Sequence, residues 1–165
     1  MSSLKETMLA NLRELVKLQR AAHDSMFKFS ITKIWPISLF TPQVDWIRIT
    51  RMMDNLKEKC NEQKEYLANT VGAIHRGCPE GEHGCPEGDL PFLKLLPEYL
   101  DLLATVAEVL GRAAAYRQNV LEKKIKMTMK EWNSILISYN DASDSMTRTG
   151  ILLHSNYELS TMQSG

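Results

Sequence analysis

Four residues of metal-binding type, His75, Cys78, His83 and Cys85, fall within eleven positions of this sequence. Zinc takes thiolates and imidazoles tetrahedrally, with paired ligands usually two to four residues apart. The spacing here is H-x2-C-x4-H-x-C, and His83 and Cys85 are too close together to chelate one ion easily. All four belong to a glycine- and proline-rich stretch in which GCPEG occurs twice, at Gly77–Gly81 and Gly84–Gly88. Such density forbids regular structure and marks an exposed turn. The preferred reading is a hairpin between helices with no metal. Glu80-x-x-His83 echoes a carboxylate-bridged iron motif, but that chemistry needs helical spacing and further carboxylates.

Nothing else in the chain converges on catalysis. There is no glycine-rich phosphate loop after a strand, no H-E-x-x-H and no nucleophile elbow. The four histidines are scattered, and His23 beside Asp24 reads as a surface pair. We therefore expect no enzyme and no cofactor. A ligand pocket in a bundle core would leave no linear trace, and is the one enzymatic or carrier alternative that survives.

Charge is more informative than its total, since twenty basic and twenty acidic side chains cancel. Residues 86–108 carry a net of four negative charges, through Glu87, Asp89, Glu98, Asp101 and Glu108 against Lys94. Residues 112–130 carry a net of five positive, through Arg112, Arg117, Lys123, Lys124, Lys126 and Lys130 against Glu122. Basic side chains near an anionic bilayer contribute about 1 kcal/mol each. These six are the candidate lipid-binding residues. The competing reading is a solvated face paired with acids of a neighbouring helix, such as Glu58, Glu62 and Glu65. A duplex nucleic-acid partner would need a recognisable reading element and would leave the acidic half unexplained, so none is expected.

These residues must be positioned by helices. Ser3 and Glu6 have capping-box spacing, and Leu4, Met8, Leu12, Leu15, Leu18, Ala22 and Met26 recur at helical steps, predicting a helix over about 4–28. Lys5, Arg13, Lys17 and Arg20 fall outside that stripe. A second helix is predicted over 42–76, capped by Thr41 with Pro42 at its first position. Its stripe reads Val44, Ile47, Met52, Leu56, Cys60, Leu67, Val71 and Ile74. Between these two helices lies the most aromatic stretch of the chain. It reads either as a loop folded over the bundle end or as a wedge for a membrane or partner, with Trp35, Ile37, Leu39 and Phe40 at its centre.

The third segment carries the longest pattern. Leu96, Leu100, Leu103, Ala107, Leu110, Ala114, Arg117 and Leu121 form a heptad-like stripe that resumes at Ile125, Thr128, Trp132, Ile135, Tyr139, Ala142 and Met146. The extra step of four at Leu121–Ile125 is a stutter, which marks a bend or shift of the seam. With Pro97 in its first turn, a single helix from about Pro97 to Ser145, within a segment bounded at 92–146, is preferred. The alternative is a break near Gly111 or Asn119, giving a four-helix bundle. Residues 1–147 then form one helical domain and 148–165 a flexible tail. A stripe that long exceeds what two shorter helices cover, so a homodimer is expected.

Three stretches together resemble the BAR-domain superfamily over about residues 50–140. They are the Lys/Glu-rich helix from Arg51 to Ile74, Leu90-Pro91-Phe92-Leu93-Lys94 after the turn, and Tyr116-Arg117-Gln118 followed by Leu121-Glu122-Lys123-Lys124. The family's third long helix has no counterpart after Met146. The resemblance implies an antiparallel dimer that binds curved anionic membranes through basic side chains.

The sequence thus predicts an all-α protein of three to four antiparallel helices. Its function is read as a non-enzymatic, self-associating interaction module engaging an anionic membrane surface or trafficking machinery. The alternative is a cytosolic adaptor that binds another protein through an exposed apolar seam without touching lipid. An odd number of cysteines and charges scattered through the first thirty residues point to the cytoplasm, with peripheral membrane contact.

Overall fold

The computed structural model describes residues 4–27, 44–77 and 90–162. The Thr41–Pro42 cap, the aromatic loop 29–41 and most of the histidine–cysteine turn lie outside them. Four helices follow one another: α1 (Leu4–Phe27), α2 (Trp46–Gly77), α3 (Leu90–Leu121) and α4 (Met129–Met162). Each runs antiparallel to the one before. Asn11 of α1 donates to Gln63 of α2 at 2.9 Å, and Leu18 lies nearer the start of α2. Lys57 and Lys64 of α2 pair with Glu108 and Asp101 of α3. Thr149 of α4 donates to Glu98 of α3.

The α3 helix is the axis of the bundle and touches all three others. Phe92, Leu96, Leu100, Leu103, Val106, Ala107, Leu110 and Ala114 are sealed from solvent, which matches the predicted stripe and widens it. That burial also explains why Pro97 sits inside α3 rather than in its first turn. A proline costs a helix interior about 3 kcal/mol. Burying side chains the size of Phe92 and Leu96 gains about 1.5–3 kcal/mol each, so extending the helix back to Leu90 is favourable.

On α2 the observed core is Trp46, Ile49, Met53, Leu56, Cys60 and Leu67, while Ile47 is 45% exposed. Of the predicted stripe, Leu56, Cys60 and Leu67 are buried, Val44, Met52 and Val71 pack at the core margin, and Ile47 is the position that faces solvent. The helix starts at Asp45, not Thr41: Val44 and Asp45 are not helical, and Asp45 Oδ1 accepts the Arg48 amide at 2.9 Å. A carboxylate at this position satisfies a helix-start donor and suits the positive end of the helix dipole.

The single long helix over 92–146 is not formed. The chain turns back at residues 122–128, at the stutter, to start α4. Reversal lets Ile135, Tyr139, Met146, Thr149 and Leu153 bury against the bundle, which one straight rod would leave bare. The tail reading falls with it for residues 148–162, since α4 continues to Met162 and Tyr157 packs edge-on against Phe92 with ring centres 5.9 Å apart. A Cβ on Gly150 would lie 3.0 Å from Tyr99 Cε2, so α4 approaches α3 there more closely than a larger residue permits.

The α1 helix closes the remaining side. Lys5, read as solvent-facing, is only 6% exposed and lies over the Tyr157 ring at 4.4 Å. His23 is not a surface residue either. Its Nδ1 is hydrogen-bonded to the Tyr139 hydroxyl at 2.6 Å, and its ring packs against Phe27 and Tyr139. Amphipathic side chains cover apolar surface while keeping their polar tips bonded, which is how both residues join the core margin.

Candidate functional site

The corner between α3 and α4 is built from its two helix ends. At the end of α3 the Lys123 amide donates to Val120 O at 3.1 Å and the Lys124 amide to Asn119 O at 3.0 Å. That is the paired pattern of a Schellman cap, which requires a left-handed residue and usually takes glycine. Here the residue is Lys123, at φ 57°. At the start of α4, Thr128 Oγ1 accepts the Glu131 amide at 3.2 Å and donates to Glu131 Oε2 at 2.7 Å. Thr128 is thus the N-cap, in a Thr128-x-x-Glu131 sequence with capping-box spacing, but the reciprocal bond from the Thr128 amide goes to Tyr116 and not to Glu131. Tyr116 completes the cap from α3: its hydroxyl accepts the Thr128 amide at 2.9 Å and donates to Glu131 Oε2 at 3.1 Å.

Arg117 fastens the same corner to α2. Its guanidinium lies 5.6 Å from the Trp46 ring centre and 5.5 Å from that of Trp132, and Nη1 donates to Met127 Sδ at 3.2 Å. A planar cation between two indoles is held by cation–π attraction and by packing. Arg117 thereby fastens the bundle end.

Between these fixed ends every residue from 121 to 130 is exposed. Lysines alternate with large apolar side chains: Leu121 is 62% exposed, Ile125 40%, Met127 39% and Met129 65%. Lys124 is tied to Glu122 at 2.5 Å, and with Gln118 it holds the Glu122 carboxyl below its ordinary pKa through hydrogen bonds. Lys123, Lys126 and Lys130 have no ion-pair partner among the described residues. Arg112 stands beside the tip and lines an open cavity of about 450 Å³ with Asn119, Ile125 and Glu131.

Of the six basic residues singled out by sequence, the structure gathers five around one exposed corner and assigns the sixth, Arg117, to its support. No ion pair joins this cluster to Glu58, Glu62 or Glu65 among the described residues. The pairing between α2 and α3 runs the other way, with α2 lysines meeting α3 acids. A second basic face was missed: Arg48, Arg51 and Lys59 line an open cavity of about 630 Å³ between α1 and α2. Their three-, eight- and eleven-residue spacings are helical, and that pattern was the available signal. The wedge residues Trp35, Ile37, Leu39 and Phe40 lie outside the described residues.

Comparison with protein-family profiles, curated proteins and solved structures found no match. The chemistry of the corner therefore rests on its own geometry. No group of three metal-ligating side chains stands together among the described residues. The one cysteine described, Cys60, is buried under α3 with its pKa pushed up to about 12 by burial, helped by Asp101 and opposed by Lys64. A thiol in that state is a packing group, not a nucleophile. What remains is a rigidly framed tip that is cationic and apolar at once.

Proposed function

We propose that this chain is a non-enzymatic interaction module that docks on an anionic membrane surface through the α3–α4 corner. The observation that carries the reading is the ten-residue exposed tip, 121–130, in which lysines and large apolar side chains alternate. Each unpaired lysine near anionic headgroups contributes about 1 kcal/mol. Leu121, Ile125 and Met127 add apolar surface at the depth of the headgroups. Among the described residues no helix is long and apolar enough to cross a membrane, so contact here is peripheral and reversible. The same class of partner is implied by the BAR resemblance, but the proposal does not depend on it.

Co-sedimentation of the full chain with vesicles tests this directly. Binding is expected to phosphatidylcholine vesicles carrying an anionic phospholipid, and not to phosphatidylcholine alone. It should weaken steeply from low to physiological salt, where exposed charges are screened over about 8 Å. Neutralising three lysines together (Lys123→Gln, Lys126→Gln, Lys130→Gln) removes about 3 kcal/mol of attraction, roughly a hundredfold in affinity. No binding of the unaltered protein at either salt concentration would overturn the proposal in favour of the lipid-free adaptor.

A further inference from the structure

A separate surface lies along α4, on the side turned away from the bundle. Ile137, Asp141, Asp144, Arg148 and Ile151 follow one another at steps of four, three, four and three, the period of a helix–helix seam. All five are exposed, Ile137 by 60% and Ile151 by 62%, and Leu152 beside them by 55%. They stand opposite Ile135, Tyr139, Met146 and Leu153, which face the core. Neither Asp141 nor Arg148 has an ion-pair partner among the described residues.

We infer that this face is the contact between two copies of the chain, packed antiparallel about a two-fold axis near residues 144–145. The charge order selects the occupant. In a parallel pairing Asp141 would face Asp141 and Arg148 would face Arg148. Reversing one helix brings each Asp141 opposite Arg148 of the other copy, and each Ile137 opposite Ile151 and Leu152. Because the axis is two-fold, every such contact forms twice, the self-complementarity an isologous dimer requires. Arg148 also reaches Asp144 of the other copy, one turn from Asp141, and relieves the two aspartates nearest the axis. The seam from residue 137 to 152 is about 22 Å long at 1.5 Å per residue. That is short against a standard interface, so the dimer exchanges with monomer at micromolar concentrations. The seam leaves residues 121–128 uncovered, and self-association stands independently of membrane docking.

Sedimentation equilibrium of the full chain provides the test. The mass is expected to rise from the 18.8 kDa chain toward twice that value between about 1 and 100 µM. D141R and R148D should each weaken the dimer by about tenfold or more, with helicity unchanged. Mixing the two variants should restore association, because each unlike pair then meets opposite charges at both sites. The double variant D141R/R148D should self-associate again. A chain that stays at the 18.8 kDa monomer mass throughout would overturn the inference. So would single variants that dimerise normally, or a mixture that fails to recover.

Discussion

Lys123 occupies the left-handed C′ position of the α3 cap, at φ 57°, where glycine is the residue of lowest strain. A side chain held there costs about 1–2 kcal/mol. Lys123→Gly should therefore stabilise the fold by about 1 kcal/mol, which for a chain of this size raises Tm by about 2–4 °C. The same change removes one unpaired cation from the tip, about 1 kcal/mol of attraction to an anionic surface, or roughly fivefold in affinity. Stability and vesicle binding should thus move in opposite directions. Lys123→Ala separates the two effects, since it removes the charge and keeps the strained side chain: it should bind vesicles as weakly as Lys123→Gly and melt no higher than the unaltered protein. Circular dichroism melting and co-sedimentation at low salt read both quantities. If Lys123→Gly melts no higher than Lys123→Ala, the strain argument fails. If neither substitution weakens vesicle binding, the lysine is not placed at this corner for its charge.

Two further outcomes follow from the same geometry. Arg117→Ala should cost about 2 kcal/mol, since two indole faces lose their cation, while vesicle binding changes far less than in the triple lysine variant. Equal loss of binding without loss of stability would return Arg117 to the lipid-contacting set. In a Cys78→Ser/Cys85→Ser background Cys60 should resist thiol reagents in the native state at pH 8 and react once urea unfolds the chain. Well below pH 9 its thiol is protonated in both states and contributes no pH dependence. Above that the unfolded thiol ionises first, so stability should fall as pH rises from 9.0 toward about 12, and a flat urea midpoint across that range, against Cys60→Ala, would contradict its burial.

Residue periodicity alone determined that the protein is all-α, where α1 runs, and which face of α3 from Leu96 to Ala114 is the core. These are local properties: a stripe repeating at three and four residues can be buried only as one side of a helix. Periodicity also found the stutter at Leu121–Ile125 and the basic cluster around it. It did not reveal that the chain reverses there. No glycine or proline marks residues 122–128, and the turn places a lysine in a backbone region that the residue disfavours. The reversal follows from what it buries, the α4 face from Ile135 to Leu153, which exists only once α3 is packed. The same holds for single side chains. Arg117 reads as one more cation until Trp46, seventy-one residues earlier, meets it across the bundle end, and His23 reads as surface until Tyr139 arrives from α4. Helical spacing says which residues share a face. Only the packing of helices distant in sequence decides what that face meets, because the free energy of burial and pairing belongs to both partners together.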